Sequence, residues 1–391
     1  MNKNIKNIVL GLQHLIAMFG ATTLVPLLTG LDASVALFSA GVGTLIFHLL
    51  TKREVPVFLG SSFAFIPGII AVATSHSLAH AQGGIVVAGA LYIIFALLIY
   101  KVGIDNVSKF LPKYVIGTII VIIGIGLLPV AVDMASANFY IATLTFIVAC
   151  VVMFSGENLA RQFVVLIAIT VGYIVSFGMG LVDFTPITQG AWFAVPSFTA
   201  PQFDISAIIV IAPIVLATFM EHIGDITANG AVVGKDFVTK PGLHKTLLGD
   251  GIATMFAGFI GGPANTTYGE NTGVLAITKN YNPATLRIAA VFAISLSFIG
   301  KVAGILTTIP VFVLGGVSII LFGMIAKVGL DTIITDRSWE SKVQIAIMLF
   351  MLAVGLSGVE FISFSGVSLA AMSGILLNII WRLLPQTNTQ Q

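Results

Sequence analysis

The chain has 391 residues, 57% of them hydrophobic and only 9% charged, with a mean hydropathy of +1.07. Soluble globular proteins carry about 25% charged residues, so an ordinary cytosolic enzyme, a disordered chain and a collagen-like repeat are excluded. The single Cys150 excludes a disulfide scaffold, and 18 Lys+Arg scattered against 16 Asp+Glu exclude a nucleic-acid binder. A polytopic membrane protein remains.

A spanning helix needs roughly 20 apolar residues. Apolar runs interrupted by charges, Pro and Gly predict fourteen spans, near 8–29, 33–50, 56–75, 83–100, 114–132, 139–155 and 162–182, then 205–225, 246–260, 263–279, 284–307, 309–328, 341–358 and 364–384. Mainly Pro310 separates the eleventh from the twelfth. If the N-terminus is cytoplasmic, every Lys and Arg except Lys301 falls on the inner side. Lys301 lies within the eleventh span and pairs with an acid or snorkels outward. The connection 183–204, with two acids and no base, falls outside. Both termini are therefore expected in the cytoplasm. The first span reads as retained rather than as a signal peptide, because Gln13-His14 interrupts its apolar run and no convincing cleavage site follows.

Two features recur at nearly one spacing. Gln13-His14 in the first span is echoed by Glu221-His222 in the eighth, and Gly60-Ser61-Ser62-Phe63 in the third by Asn265-Thr266-Thr267-Tyr268 in the tenth. The offsets, 208 and 205 residues, indicate a repeated half. Seven spans is an odd number, so the second half enters the membrane inverted. That is a recurring transporter plan, with substrate near the midplane.

The third and tenth spans read as broken. Gly60, Ser61, Ser62 and Pro67, and then Gly261, Gly262, Pro263, Asn265, Thr266, Thr267 and Gly269, are poor helix-interior residues. Unpaired backbone in lipid is costly, so such stretches line protein-enclosed cavities. Each is expected to cross the centre as a short extended segment followed by a half-helix, whose N-terminus offers free N–H groups. The alternative is a pair of continuous, Gly-rich packing helices.

Three carboxylates sit in apolar surroundings: Glu221, Asp225 and Glu270. A charge at the bilayer centre costs at least about 2.5 kcal/mol, so such groups face a cavity or one another. Glu221 and Asp225, four apart, share a helix face and form a candidate proton-accepting pair; the alternative is a structural hydrogen bond between helices. Phe63 and Tyr268 occupy matching places in the broken segments, beside Ser62 and Glu270, where they could sandwich a flat aromatic ligand or simply pack. Gln13 and His14 are candidates near the cavity. His222 is turned about 100° from Glu221, which favours a structural role, and Asp250 remains open. The sequence contains no metal constellation, phosphate loop or nucleophile elbow, so no cofactor and no enzymatic activity is expected.

Glu270-Asn271-Thr272-Gly273-Val274-Leu275-Ala276-Ile277-Thr278-Lys279 resembles the signature of the nucleobase–ascorbate transporter family. Gln13-His14, Gly60 to Phe65 and Asn265 to Asn271 are similar to its bacterial uracil permease branch, and similarity covers essentially the whole chain. The resemblance implies an all-α membrane protein of fourteen spans in two inverted repeats of seven. Its core domain would comprise 1–104 and 205–308, and its gate domain 105–204 and 309–391. It further implies uracil–proton symport across the cytoplasmic membrane, the proton being the coupling ion, by a homodimer whose core moves like an elevator in the lipid. Carried over by position, Glu221 and Glu270 would hydrogen-bond the nucleobase, Phe63 and the backbone near Gly269 and Tyr268 would complete the pocket, and Asn271 would brace the tenth span. Two positions depart from the branch's pattern: Asp225 stands where a His is usual, and Phe322 where a Tyr faces the site. Other nucleobase carriers, such as xanthine or urate symporters, and a passive channel or anion exchanger of the same plan are the rival functions.

Overall fold

A computed structural model describes residues 3–104, 112–155, 160–161, 163–358 and 366–383. Lys109 and the expected span limits at 162, 364 and 384 lie outside the described residues. Six described helices are long and apolar enough to cross a membrane, and shorter apolar helices stand at six of the eight remaining expected positions, the third, sixth, seventh, eleventh, thirteenth and fourteenth.

In chain order the first half comprises α1 (Lys3–Thr29), α2 (Ala33–Leu50), strand β1 (Leu59–Ser61), α3 (Ile66–Ser75), α4 (Leu78–Val102), α5 (Lys113–Ser136), α6 (Phe139–Ser155) and α7 (Val164–Gly178). A short α8 (Thr185–Gln189) lies in the connection. The second half comprises α9 (Ile205–Ile211), α10 (Val215–Val233), α11 (Leu243–Ile260), β2 (Asn265–Thr267), α12 (Gly269–Thr278), α13 (Pro283–Ser297), α14 (Gly300–Thr307), α15 (Val311–Thr335), α16 (Lys342–Leu356) and α17 (Gly366–Leu383).

Helix starts are chemically marked. Asp32 accepts from the N–H groups of Ser34 and Val35 at 2.7 and 3.1 Å, and Asp204 caps α9 in the same way. Hydrogen bonds from the Ser206 hydroxyl and the Ala207 N–H hold the Asp204 carboxyl below the usual range. The cap it makes therefore persists in mild acid and is lost only as pH falls through that lowered value.

The third and tenth spans are broken as expected. β1 and β2 pair antiparallel, with Leu59 opposite Thr267, Gly60 opposite Thr266 and Ser61 opposite Asn265. Each strand thereby satisfies backbone groups that a lone extended segment would leave bare in lipid. Helices α3 and α12 follow directly, with Pro67 in the first turn of α3.

Two expectations need correction, and Lys301, left open between an acid and outward snorkelling, finds its partners. The eleventh span is not one helix: α13 ends at Ser297 and α14 begins at Gly300. The break is made from outside, because Ala194 donates to the Phe298 carbonyl, Gly300 donates to that of Trp192, and Phe193 bridges Ile299. The eighth runs past 225 to Val233, with a 3-10 turn at Ala212–Ile214 around Pro213, and stops at left-handed Gly234. Lys301 meets no acid among the described residues. Its ammonium donates to the Ile187 and Thr188 carbonyls at the end of α8 and lies 5.9 Å from the Trp192 ring centroid. It thus clips the 183–204 connection onto α14. Lys301→Met is expected to cost about 1 kcal/mol, read as a lower thermal midpoint and faster proteolysis between 183 and 204; unchanged cleavage there would show the clip to be idle.

Small residues set the closest approaches. A Cβ on Gly251 of α11 would stand 3.0 Å from the Gly89 carbonyl of α4, and one on Gly117 of α5 would stand 2.8 Å from that of Gly329 on α15. Glycine lets these backbones meet.

Candidate substrate site

The β1–β2 pair is held by side chains that would otherwise be buried without partners. Leu59 donates its N–H to Thr44 Oγ1 at 2.9 Å, and Ser61 Oγ donates to the Thr22 carbonyl at 2.9 Å. Asn265 Nδ2 donates to the Ser39 carbonyl at 3.2 Å, while Thr254 Oγ1 donates to that of Asn265 at 2.8 Å. A Cβ on Gly60 would overlap the Tyr268 ring and come within 2.7 Å of Thr22 Oγ1, so this position admits only glycine.

Beyond the pair the chain opens. Glu221 and Gly269 are exposed, and Glu270, Phe63 and Asp225 are half-buried. Glu221 lies within charge–charge reach of Glu270 and Asp225. A Cβ on Gly269 would stand 4.0 Å from Asp225 Oδ1, which places the start of α12 beside the acids of α10. Asp225 Oδ2 accepts from Thr267 Oγ1 at 2.8 Å. One acid is thus tied to a strand while Glu221 keeps open space. Among the described charged groups acting on these three carboxylates there is no Lys or Arg.

The other expected residues divide into those that face the opening and those that brace it. Phe63 packs where three apolar clusters meet. Tyr268 is only 4% exposed, with its hydroxyl donated to the Ser61 carbonyl at 2.9 Å. Its ring therefore has almost no surface for stacking, and the open sandwich with Phe63 is not formed. Ser62 is buried, its N–H donated to the Ala264 carbonyl at 2.8 Å and its Oγ unpartnered. Asn271 Nδ2 donates to the His14 carbonyl at 3.0 Å and approaches His14 Nδ1 at 3.2 Å. His14 is 1% exposed, and Gln13 beside it is half-buried. Phe322 is fully buried in the same apolar cluster as Phe65 and Phe219.

Sequence reasoning gave His222 a structural role and left Asp250 open, but it missed Thr246 and Asn229, which complete the bracing around the acids. His222 Nδ1 meets Asp250 Oδ2 at 2.8 Å and its Nε2 meets Thr246 Oγ1 at 2.9 Å, with both His222 and Asp250 fully buried. This pair locks α10 to α11 with Glu221 turned outward. Asn229 Nδ2 donates to the Pro56 carbonyl and to Thr272 Oγ1, each at 3.0 Å. Only the polarity of these residues in apolar runs hinted at such roles.

A family model described as "Permease family", that of the xanthine/uracil permeases, matches residues 5–364. The chain belongs to this family. A probable uracil permease of Pasteurella multocida (strain Pm70) is 43% identical, covering 96% of this chain and 93% of its own. The uracil permease of Bacillus subtilis (strain 168) is 40% identical over 97% and 93%. Among solved structures, the transmembrane domain of a cyanobacterium bicarbonate transporter BicA superposes with a TM-score of 0.64 at 19% identity, covering 97% and 98% of the two chains. SLC26A9 superposes with a TM-score of 0.70 at 12% identity, covering 97% and 65%. This family member is therefore an all-α integral membrane protein with the fold of those transporters, and a permease rather than an enzyme.

Proposed function

We propose that this permease is a uracil–proton symporter of the cell membrane. The supporting observation is the placement of Glu221 and Glu270 at open space beside paired broken spans, in a chain about 40% identical to uracil permeases. Uracil is flat and neutral, with alternating N–H donors and C=O acceptors. The two carboxylates accept from ring N–H groups, and the free N–H groups at the start of α12 donate to the carbonyls. Phe63 offers one apolar face. A site built on such bonds rejects analogues that lack them.

In this reading fourteen spans form two inverted repeats, and the packing pattern supports it. A contact between span 4 and span 9 (α4–α11) has its counterpart seven spans on in span 11 against span 2 (α13–α2). Likewise 6–12 (α6–α15) matches 13–5 (α16–α5), and 13–14 (α16–α17) matches 6–7 (α6–α7). The pairs 3–10 and 5–12 map onto themselves. Spans 1–4 and 8–11 form the moving core, spans 5–7 and 12–14 the gate, and the chain works as a homodimer with both termini cytoplasmic. Protonation at the Glu221/Asp225 pair removes negative charge beside the substrate and favours its binding. The loaded core then crosses, and uracil shifts the populations only through its different affinity for the two orientations.

Because the fold is shared with anion carriers, a carrier for anions is the rival reading; the absence of Lys and Arg among the described groups around the acids favours a neutral ligand. Radiolabelled uracil uptake into proteoliposomes with an imposed pH gradient, with purines and thymine as competitors, tests the assignment. Accumulation that a protonophore does not collapse would exclude proton symport. Asp225→Asn should flatten the pH dependence of uptake while leaving the Thr267 contact available. A profile identical to wild type would move coupling to another group.

A further inference from the structure

At the end of the molecule where most loops carry Lys and Arg, several basic groups are in no ion pair among the described residues. One of them, Arg287 in the second turn of α13, is half-buried, and its Nη1 is sealed from solvent without a hydrogen bond. Arg53 lies within charge–charge range of it, and His48, 1% exposed with Nδ1 unpartnered, lies within range of both. Lys52 and Arg53 are exposed on the turn after α2 at φ 54° and 62°. Glycine fits that left-handed conformation at least strain. Two consecutive cationic residues hold it here, as Lys279 and Arg337 do singly elsewhere in the chain. Among the described residues, none of Lys52, Arg53 and Arg287 is in an ion pair.

The surroundings are apolar and open. Val291, one turn further along the Arg287 face of α13, is 52% exposed, and Leu49 at the end of α2 is 69% exposed. Helix α1 closes the other side, where Gly11 packs on Ile288 and the Thr285 carbonyl. A guanidinium without a partner, two further cations and a strip of exposed aliphatic side chains match a phosphodiester that carries acyl chains.

We propose that Arg287, Arg53 and Lys52 bind the headgroup phosphate of an anionic phospholipid, with its chains along Val291 and Leu49. The site is separate from the carboxylates of α10 and α12, so the inference does not depend on what the protein carries.

The test is lipid retention by the purified full chain in native mass spectrometry, titrated with phosphatidylglycerol, phosphatidylcholine or inorganic phosphate. Phosphatidylglycerol should be retained most strongly. Each of R53Q and R287Q should weaken it about 5-fold and the double variant roughly 25-fold. R287K should recover part of the loss, and K342Q, a remote basic position, should change nothing. R53Q sits on an exposed turn and keeps the test valid if R287Q folds poorly. Equal retention by wild type and R53Q, an equal loss in K342Q, or equal retention of phosphatidylcholine would overturn the proposal. Displacement of the lipid by inorganic phosphate at equal concentration would also overturn it, in favour of a soluble phosphate site.

Discussion

Replacing Glu270 by Ala is expected to reduce uracil uptake by about 100-fold or more, with Glu221→Ala equally severe, while both proteins remain folded in the membrane. The magnitude follows from the chemistry of a desolvated polar site, where a ligand N–H left without its acceptor loses far more than the removal of apolar contact would cost. Neither carboxylate bonds another element of the fold among the described residues: Glu221 is exposed, and Glu270 lies half-buried in the first turn of α12, where an acid contributes at most about 1 kcal/mol. The thermal midpoint should therefore stay close to wild type. Glu270→Gln, which keeps one acceptor oxygen, should fall between wild type and the alanine variant. Uptake in proteoliposomes alongside monodispersity in detergent is the measurement, and normal uptake by either alanine variant would place the substrate elsewhere.

Gly60→Val should abolish transport by a different route. A side chain there drives into the Tyr268 ring and Thr22 Oγ1. It would force apart β1 and the start of α12, breaking the hydrogen bond from Tyr268 to Ser61. Overpacking of this kind costs about 1–3 kcal/mol, so a lower thermal midpoint should accompany the lost uptake. Gly323→Ala serves as the control: nothing lies within 4 Å of a Cβ at that helical position, and alanine is the better helix former. Stability and uptake measured on both variants separate the loss of one close approach from a general intolerance of glycine replacement. A Gly60→Val protein with wild-type uptake would show that the crossing tolerates separation.

The broken spans were legible because Gly60, Ser61, Ser62 and Pro67, and the run Gly261 to Gly269, disfavour helix through their own backbones. The break in the eleventh span was not legible. Phe298 and Ile299 are apolar residues in an apolar run, and there the Phe298 carbonyl and the Gly300 N–H are taken by Ala194 and Trp192 of a distant connection. Lys301 was ambiguous for the same reason: a cation in a span shows that a partner is needed without showing which, and here the partners are carbonyls about 110 residues away. The matching of Phe63 with Tyr268 rested on spacing alone, and spacing does not show that the Tyr268 hydroxyl meets the Ser61 carbonyl or that its ring is buried.

Composition and hydropathy alone determined that the chain resides in a membrane, where most of its helices lie and which carboxylates are out of place there. These properties are set within a few residues, by transfer free energy and backbone preference. Only the tertiary structure decided that β1 seeks β2, that Asp225 is engaged by Thr267, and that His222 turns inward to Asp250 while Glu221 keeps open space. Each of those outcomes depends on a buried polar group finding its partner, and in a low-dielectric interior that partner can come from anywhere in the chain.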